Sequence, residues 1–122
     1  MKLLDSNILI YAPQPNFAHL LPLLVNPDCF VSEITRLEVL GFHQLSSIEK
    51  TYYERVFLQK TILPVTQEII DLAIQYRQVR KMSVGDAIHA ATAILYNLEL
   101  QTRNISDFIN IPSLKLHNPV NE

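Results

Sequence analysis

Glycine is almost missing from this sequence. Two residues in 122 leave no room for a phosphate-cradling glycine-rich loop, and neither the dinucleotide fingerprint nor the P-loop pattern occurs. Cysteine is scarcer still. Cys29 stands alone, which excludes a disulfide framework and a thiolate zinc cage, and no His-x-x-x-His pair offers zinc an alternative. No apolar run approaches the length needed to cross a bilayer. The opening "MKLLDSNILIYAPQP" is broken by Asp5 and carries no signal-peptide cleavage pattern, so a cytoplasmic protein is expected. Excess positive charge is absent too: the formal net charge is −2, whereas the usual nucleic-acid footprint is a basic domain. Repeats, low-complexity segments and a domain linker are also lacking.

What is present is an ordinary globular composition, 48% apolar and 18% charged, over a length that makes residues 1–122 one domain able to bury a core of its own. Met1–Leu4 reads as an apolar strand leading into Asp5. "SNILIYA" then starts a helix capped by Asp5, Ser6 or Asn7 and stopped by Pro13 and Pro15. "FAHLLPLLV" reads as helix, kinked or split at Pro22. "CFVS" (29–32) is a short buried strand and 33–45 a helix. Ser46 and Glu49 form a capping box that opens a helix through about Gln59. "TILPV" (61–65) is a strand. Thr66 caps a helix through Lys81 whose apolar face is Ile69, Leu72, Ala73 and Tyr76. The Asp86 helix follows, then strands 98–102 and 114–117 on either side of the loop "RNISDF". Short apolar strands separated by helices predict a three-layer α/β/α sandwich around a mostly parallel sheet.

The chemistry lies in the acids. "KMSVGDAIHAATAI" (81–94) is apolar almost all round after Asp86, so that helix belongs inside, yet it opens with a carboxylate. Asp5 ends the first strand, Glu38 follows the second by about one and a half turns, and Asp107 follows the strand at 98–102. Each has a structural reading: Asp5 as an N-cap, Glu38 with Thr35 and Asp86 with Ser83 as capping boxes, Asp107 as a loop residue. Together they read otherwise. In an open parallel sheet, ligands bind beyond the carboxyl ends of the strands, where all four can converge. Carboxylates that close repel unless a cation neutralises them. An oxygen-only set suits Mg2+ or Mn2+, and metal-assisted hydrolysis of a phosphodiester is the chemistry it supports. Phosphotransfer through Asp5 would call for a second acid at position 7, which is Asn.

"LLDSNILIY", "SEITRLEVLGF", "MSVGDAIHAATAI" and "TRNISDF…IPSLKLHNP", in this order and spacing, resemble the PIN-domain family, in particular the VapC-type ribonuclease toxins, from Met1 to about Pro119. The resemblance implies an α/β/α sandwich and a Mg2+- or Mn2+-dependent endoribonuclease. It puts Asp5, Glu38 and Asp86 on the family's three main acids and Asp107 on the fourth, with Asn104 where relatives may carry an acid instead. Ser6, Asn7 and Thr102 match polar residues that orient the ligands or a water. It also implies a homodimer held inactive by a small VapB-like antitoxin. The alternative is a PIN-like scaffold that binds RNA or protein without cleaving.

With the four acids set aside, 8 of the 12 Asp and Glu remain against 10 Lys and Arg, so the rest of the chain is mildly basic. Lys2, Arg36, Lys81 and Arg103 flank the acidic motifs, and Arg77, Arg80 and Lys81 fall on one helical face. Arg36, Arg77, Arg80, Lys81 and Arg103 are therefore candidates for a rim that holds an RNA backbone, against the plain reading of a solvated face. Of Tyr52 and Tyr53, one is expected in the core and one at its edge. Tyr11 and Phe42 are expected as core or dimer contacts, and His89, one turn into the Asp86 helix, as a hydrogen-bonded packing histidine, the alternative being that it faces the site. His19, His43 and His117 show no partner pattern.

Overall fold

The structure, a computed structural model, describes residues 1–121. Five parallel strands, β1 (Lys2–Leu4), β2 (Cys29–Ser32), β3 (Ile62–Leu63), β4 (Glu99–Gln101) and β5 (Leu116–His117), lie in the order β3-β2-β1-β4-β5. Six α-helices connect them: α1 (Ser6–Tyr11), α2 (Leu21–Val25), α3 (Glu33–Leu40), α4 (Ser47–Leu58), α5 (Gln67–Val79) and α6 (Val84–Leu95). The chain leaves β1 toward β2 on one side and returns to pair β4 on the other. The topological switch point therefore lies between β1 and β4, where this architecture places its ligands.

Alternation along β1 divides the core between the two faces of the sheet. Leu4 packs with Ile8, Leu9, Tyr53 and Phe57, and Leu3 with Ala90, Ala93, Leu100 and Phe108. The alanines of α6 have the expected consequence: Ala87 and Ala91 meet Ile69 and Ala73 of α5, and small side chains let the helices approach closely. The three-layer expectation holds.

Several boundaries differ from the sequence reading. Helix α3 stops at Leu40, with Gly41 as its C-cap, instead of running to 45. Strand β3 is cut to two residues before Pro64, which has no N–H for the ladder. Strands β4 and β5 are likewise shorter than 98–102 and 114–117. Pro22 does not kink a helix. It lies in the first turn of α2, where its missing N–H costs nothing, and the break falls earlier, at Phe17 in the 3-10 helix Pro15–Leu20. Helix α5 ends at Val79, and Arg80 is extended, so Arg80 and Lys81 do not continue the face that carries Arg77.

At the amino end of β2, buried Lys60 donates from Nζ to the carbonyls of Leu23, Asn26 and Cys29 at 2.7, 2.9 and 2.9 Å. Burial lowers its pKa, against a smaller opposing effect from Cys29. This fastens the α2–β2 turn to the end of α4.

Candidate active site

Asp5 occupies the N-cap position of α1 with extended backbone, φ −66° and ψ 152°, but its side chain makes no capping bond. The cap reading of its carboxylate is therefore replaced. Oδ2 accepts from Thr102 Oγ1 at 2.7 Å and from Asn7 Nδ2 at 3.3 Å, and Oδ1 lies 3.5 Å from His89 Nε2. The residue is 6% exposed. Thr102 follows β4 directly, so the two strands flanking the switch point each deliver one partner of this hydrogen bond. Thr102 Oγ1 also accepts from the backbone N–H of Asn104 at 3.1 Å; this loop residue enters the site through its main chain.

Glu38 is not part of a capping box either. The N-cap of α3 is Ser32, whose side chain accepts from the Ile34 N–H, and Glu38 lies further along the helix. Its Oε1 accepts from Ser6 Oγ at 2.7 Å and lies 3.3 Å from His89 Nε2. Fully buried Thr35 stands 3.2 Å from Ser6 Oγ and steadies that hydroxyl. Asp86 keeps half of its predicted role, since Ser83 caps α6 by accepting from the Asp86 N–H at 3.1 Å. Its carboxylate lines a cavity of about 520 Å³ with Asp107, Ser83, Met82, Arg77 and Lys81.

His89 is buried and hydrogen-bonded, as expected of a packing histidine, and it also faces the site. It is 1% exposed, and its Nε2 stands between Glu38, Asp5 and Ser6. The spacing was the available signal: residue 89 is one helical turn beyond Asp86, on the same face. Two carboxylates near Nε2 place a proton there, while buried Nδ1 has no partner among the described residues. Burial pushes the imidazole down, but the hydrogen bond to Glu38 and the charges of Asp5, Glu38 and Asp86 outweigh it, and the pKa is raised. Glu38 is held low, first by that hydrogen bond and then by Ser6 against an opposing desolvation. Asp86 is raised, first by burial and then by the charge of Asp5, with a smaller push from Asp107.

Among the described residues, no three His, Cys, Asp or Glu side chains are already closed into a metal-holding group. The donor chemistry nonetheless fits a hard divalent cation. Asp5 and Glu38 both stand beside His89 Nε2, Asp86 feels the charge of Asp5 and Asp107, and the buried amide oxygen of Asn7 has no partner among the described residues. All of these are oxygen donors, as Mg2+ and Mn2+ prefer.

The basic rim divides. Arg77, whose Nε donates to Met82 O at 3.1 Å, and exposed Lys81 line the Asp86–Asp107 cavity. Arg36 pairs with Glu33 at 3.1 Å and lines a separate cavity on α3. Arg80 folds back onto Tyr76, its guanidinium 5.4 Å from the ring centroid. Arg103 lies 4.9 Å over the ring of Tyr11 and hydrogen-bonds its hydroxyl. Tyr53 is the core member of its pair, donating to Leu9 O at 3.2 Å, and Tyr52 stacks edge-on against it. Phe42 is exposed beside His43. His19 has a partner that its sequence context did not announce, with Nε2 2.9 Å from Pro119 O. His117 Nδ1 lies 2.6 Å from Gln101 Oε1.

A family model described as PIN domain matches residues 2–112. Among solved structures, a chain of a toxin–antitoxin complex from Klebsiella pneumoniae is 31% identical, with 98% of each chain covered and a TM-score of 0.80. A chain of FitAcB from Neisseria gonorrhoeae is 23% identical over 98% of each chain, TM-score 0.79. A chain of VapBC2 from Rickettsia felis, bound to a DNA fragment from their promoter, is 21% identical, with 96% of this chain and 97% of that one covered and a TM-score of 0.77. The last two bear on fold alone. No match to a curated protein was found.

Proposed function

The chain belongs to the PIN-domain family, and from that premise we propose that it is a Mg2+- or Mn2+-dependent endoribonuclease, the toxin half of a toxin–antitoxin pair. One observation carries the reading. The carboxylate of Asp5, at the N-cap position of α1, makes no cap and is held instead at the switch point by Thr102 and Asn7, within reach of the same His89 nitrogen that meets Glu38. A purely structural aspartate would satisfy the helix end behind it.

Asp5, Glu38, Asp86 and Asp107 are the residues that would hold the metal. A cation held there would supply Lewis-acid polarisation of a phosphoryl oxygen and activation of a water for phosphodiester hydrolysis. The chain's own residues supply the rest. Thr102 and Asn7 orient Asp5, Ser6 orients Glu38, and burial beside Asp5 and Asp107 disfavours the ionised form of Asp86, a cost that a bound cation would offset. Arg77 and Lys81, on the wall of the Asp86–Asp107 cavity, offer positive charge to the RNA backbone on that side. The chain acts as one domain. No helix among the described residues is long and apolar enough to cross a membrane, in keeping with a cytoplasmic site of action.

The 31% identity to a chain of a toxin–antitoxin complex supports a VapB-like antitoxin as partner. Exposed Ile70, Ile74 and Val84 line one groove between α5 and α6 and give a homodimer apolar surface to bury. The test is cleavage of a fluorescent single-stranded RNA in Mn2+ or Mg2+ by the wild type, by Asp86→Asn and in EDTA. Cleavage by the wild type alone is expected. A wild type that neither cuts RNA nor binds Mn2+ would return the chain to the non-catalytic scaffold reading.

A further inference from the structure

Glu38 is the one site acid delivered from the middle of a helix on a long side chain, and that side chain is 41% exposed. Solvent does not hold a carboxylate in place, so its position has to come from contacts. Oε1 is fixed by Ser6 and His89. Oε2 lies over Gly85, next to Asp86 in the first turn of α6. A Cβ on Gly85 would stand 2.7 Å from Oε2, too close for both to keep their places, and 3.3 Å from Cδ, so the flexible Glu38 side chain would have to move.

The backbone does not require glycine at this position. Neither glycine of the chain has positive φ, and Gly85 is helical in an element otherwise rich in alanine. Glycine there weakens the helix relative to alanine. Gly85 and His89 are four residues apart and so share one face of α6, one turn above the other. The two oxygens of Glu38 lie along that face, Oε2 at Gly85 and Oε1 at His89.

We propose that Gly85 and His89 form a seat on α6 that fixes the Glu38 carboxylate against the first turns of that helix, Gly85 by leaving space and His89 by donating its Nε2 proton. Both are positioning residues, acting through Glu38. The inference rests on the reading of Glu38 as a metal-holding acid. It explains why an alanine-rich helix carries one of the chain's two glycines where alanine would serve the helix better.

The experiment is a double-mutant cycle on Mn2+ affinity by titration calorimetry, with thermal unfolding in EDTA as the control for folding. Gly85→Ala should unfold at or above the wild-type temperature, since alanine favours the helix, and yet bind Mn2+ about tenfold more weakly, as loss of an outer-sphere partner does. In a Glu38→Gln background the same Gly85→Ala substitution should change Mn2+ affinity no further. His89→Gln, which keeps an N–H donor of similar reach, should bind Mn2+ within about threefold of wild type, well inside the outer-sphere range. Gly85→Ala binding as tightly as wild type, or weakening Mn2+ equally in the Glu38→Gln background, overturns the seat and leaves the metal reading standing. A wild type that binds no Mn2+ overturns both.

Discussion

Thr102 and Asp5, 97 positions apart, are joined by a 2.7 Å hydrogen bond across the gap between β4 and β1. Thr102 is fully buried and Asp5 nearly so, which makes the bond costly to lose. Thr102→Val keeps the shape and removes the hydroxyl, so the Asn104 N–H loses its acceptor and Asp5 Oδ2 its strongest donor. The variant should lose about 1–3 kcal/mol in urea unfolding, and Thr102→Ser should recover most of it. A wild-type urea midpoint for Thr102→Val would show that the bond holds nothing in place.

Asp86→Asn should separate activity from stability. Burial and the charges of Asp5 and Asp107 raise the Asp86 pKa, so the ionised form is disfavoured in the folded chain. Its proton is bound more tightly folded than unfolded, and stability is lost as pH rises through the raised value. Removing the charge should therefore raise the urea midpoint at neutral pH in EDTA while abolishing RNA cleavage, a trade common at functional sites. A lower midpoint in EDTA would contradict the electrostatic account.

The pH profile of the metal-free chain follows from His89 and Glu38. His89 has a folded pKa raised above 6.5. Its contribution is fully present below 6.5 and lost as pH rises through the elevated value. Glu38 is lowered from 4.5, so its contribution is present above 4.5 and lost as pH falls through the depressed value. Urea unfolding in EDTA should thus weaken on both the alkaline and the acid sides. His89→Gln should flatten the alkaline limb; an unchanged alkaline limb would show that His89 does not titrate there.

Lys60 offers a control far from the acids. It fastens the amino end of β2, while the site lies beyond the carboxyl ends of the strands. Lys60→Met strips three carbonyls of their donor, that of Cys29 in a buried bond, and should cost about 1–3 kcal/mol in urea unfolding. RNA cleavage below the new transition should match wild type. Equal loss of cleavage would show that the two edges of the sheet are coupled.

The divided rim predicts divided effects on RNA binding. Measured by fluorescence anisotropy in EDTA, Lys81→Ala should reduce the salt dependence of binding by about one unit of slope. Arg36→Ala and Arg80→Ala should leave it nearly unchanged, because those side chains are turned to Glu33 and Tyr76. Equal effects of all three would mean that the cavity of Arg77 and Lys81 is not the path of the backbone.

The fold was largely legible in the chain because its signals are local. Apolar runs of strand length, the Ser46–Glu49 capping box and the apolar face of α5 each act over a few residues. The misplaced ends have local causes too: Gly41 stops α3, Pro64 shortens β3, and Pro22 belongs to a first turn. The acids stood out as candidates for a related reason, since a carboxylate at a strand end or at the mouth of an apolar helix is conspicuous.

What each side chain does there was decided only by the tertiary structure. Asp5 is by sequence an N-cap, and Thr102, 97 positions away, takes its carboxylate instead. Glu38 looked like a capping partner of Thr35 until packing set α3 beside α6, where Ser6, Gly85 and His89 meet it. For His89 the one-turn spacing from Asp86 allowed either packing or the site, and only the fold put Glu38 and Asp5 against its Nε2. Residue type and periodicity act along the chain and determined the elements and which acids could be candidates. Hydrogen bonds among residues far apart in sequence exist only once the sheet order β3-β2-β1-β4-β5 has brought β1 beside β4, and they determined which atoms meet.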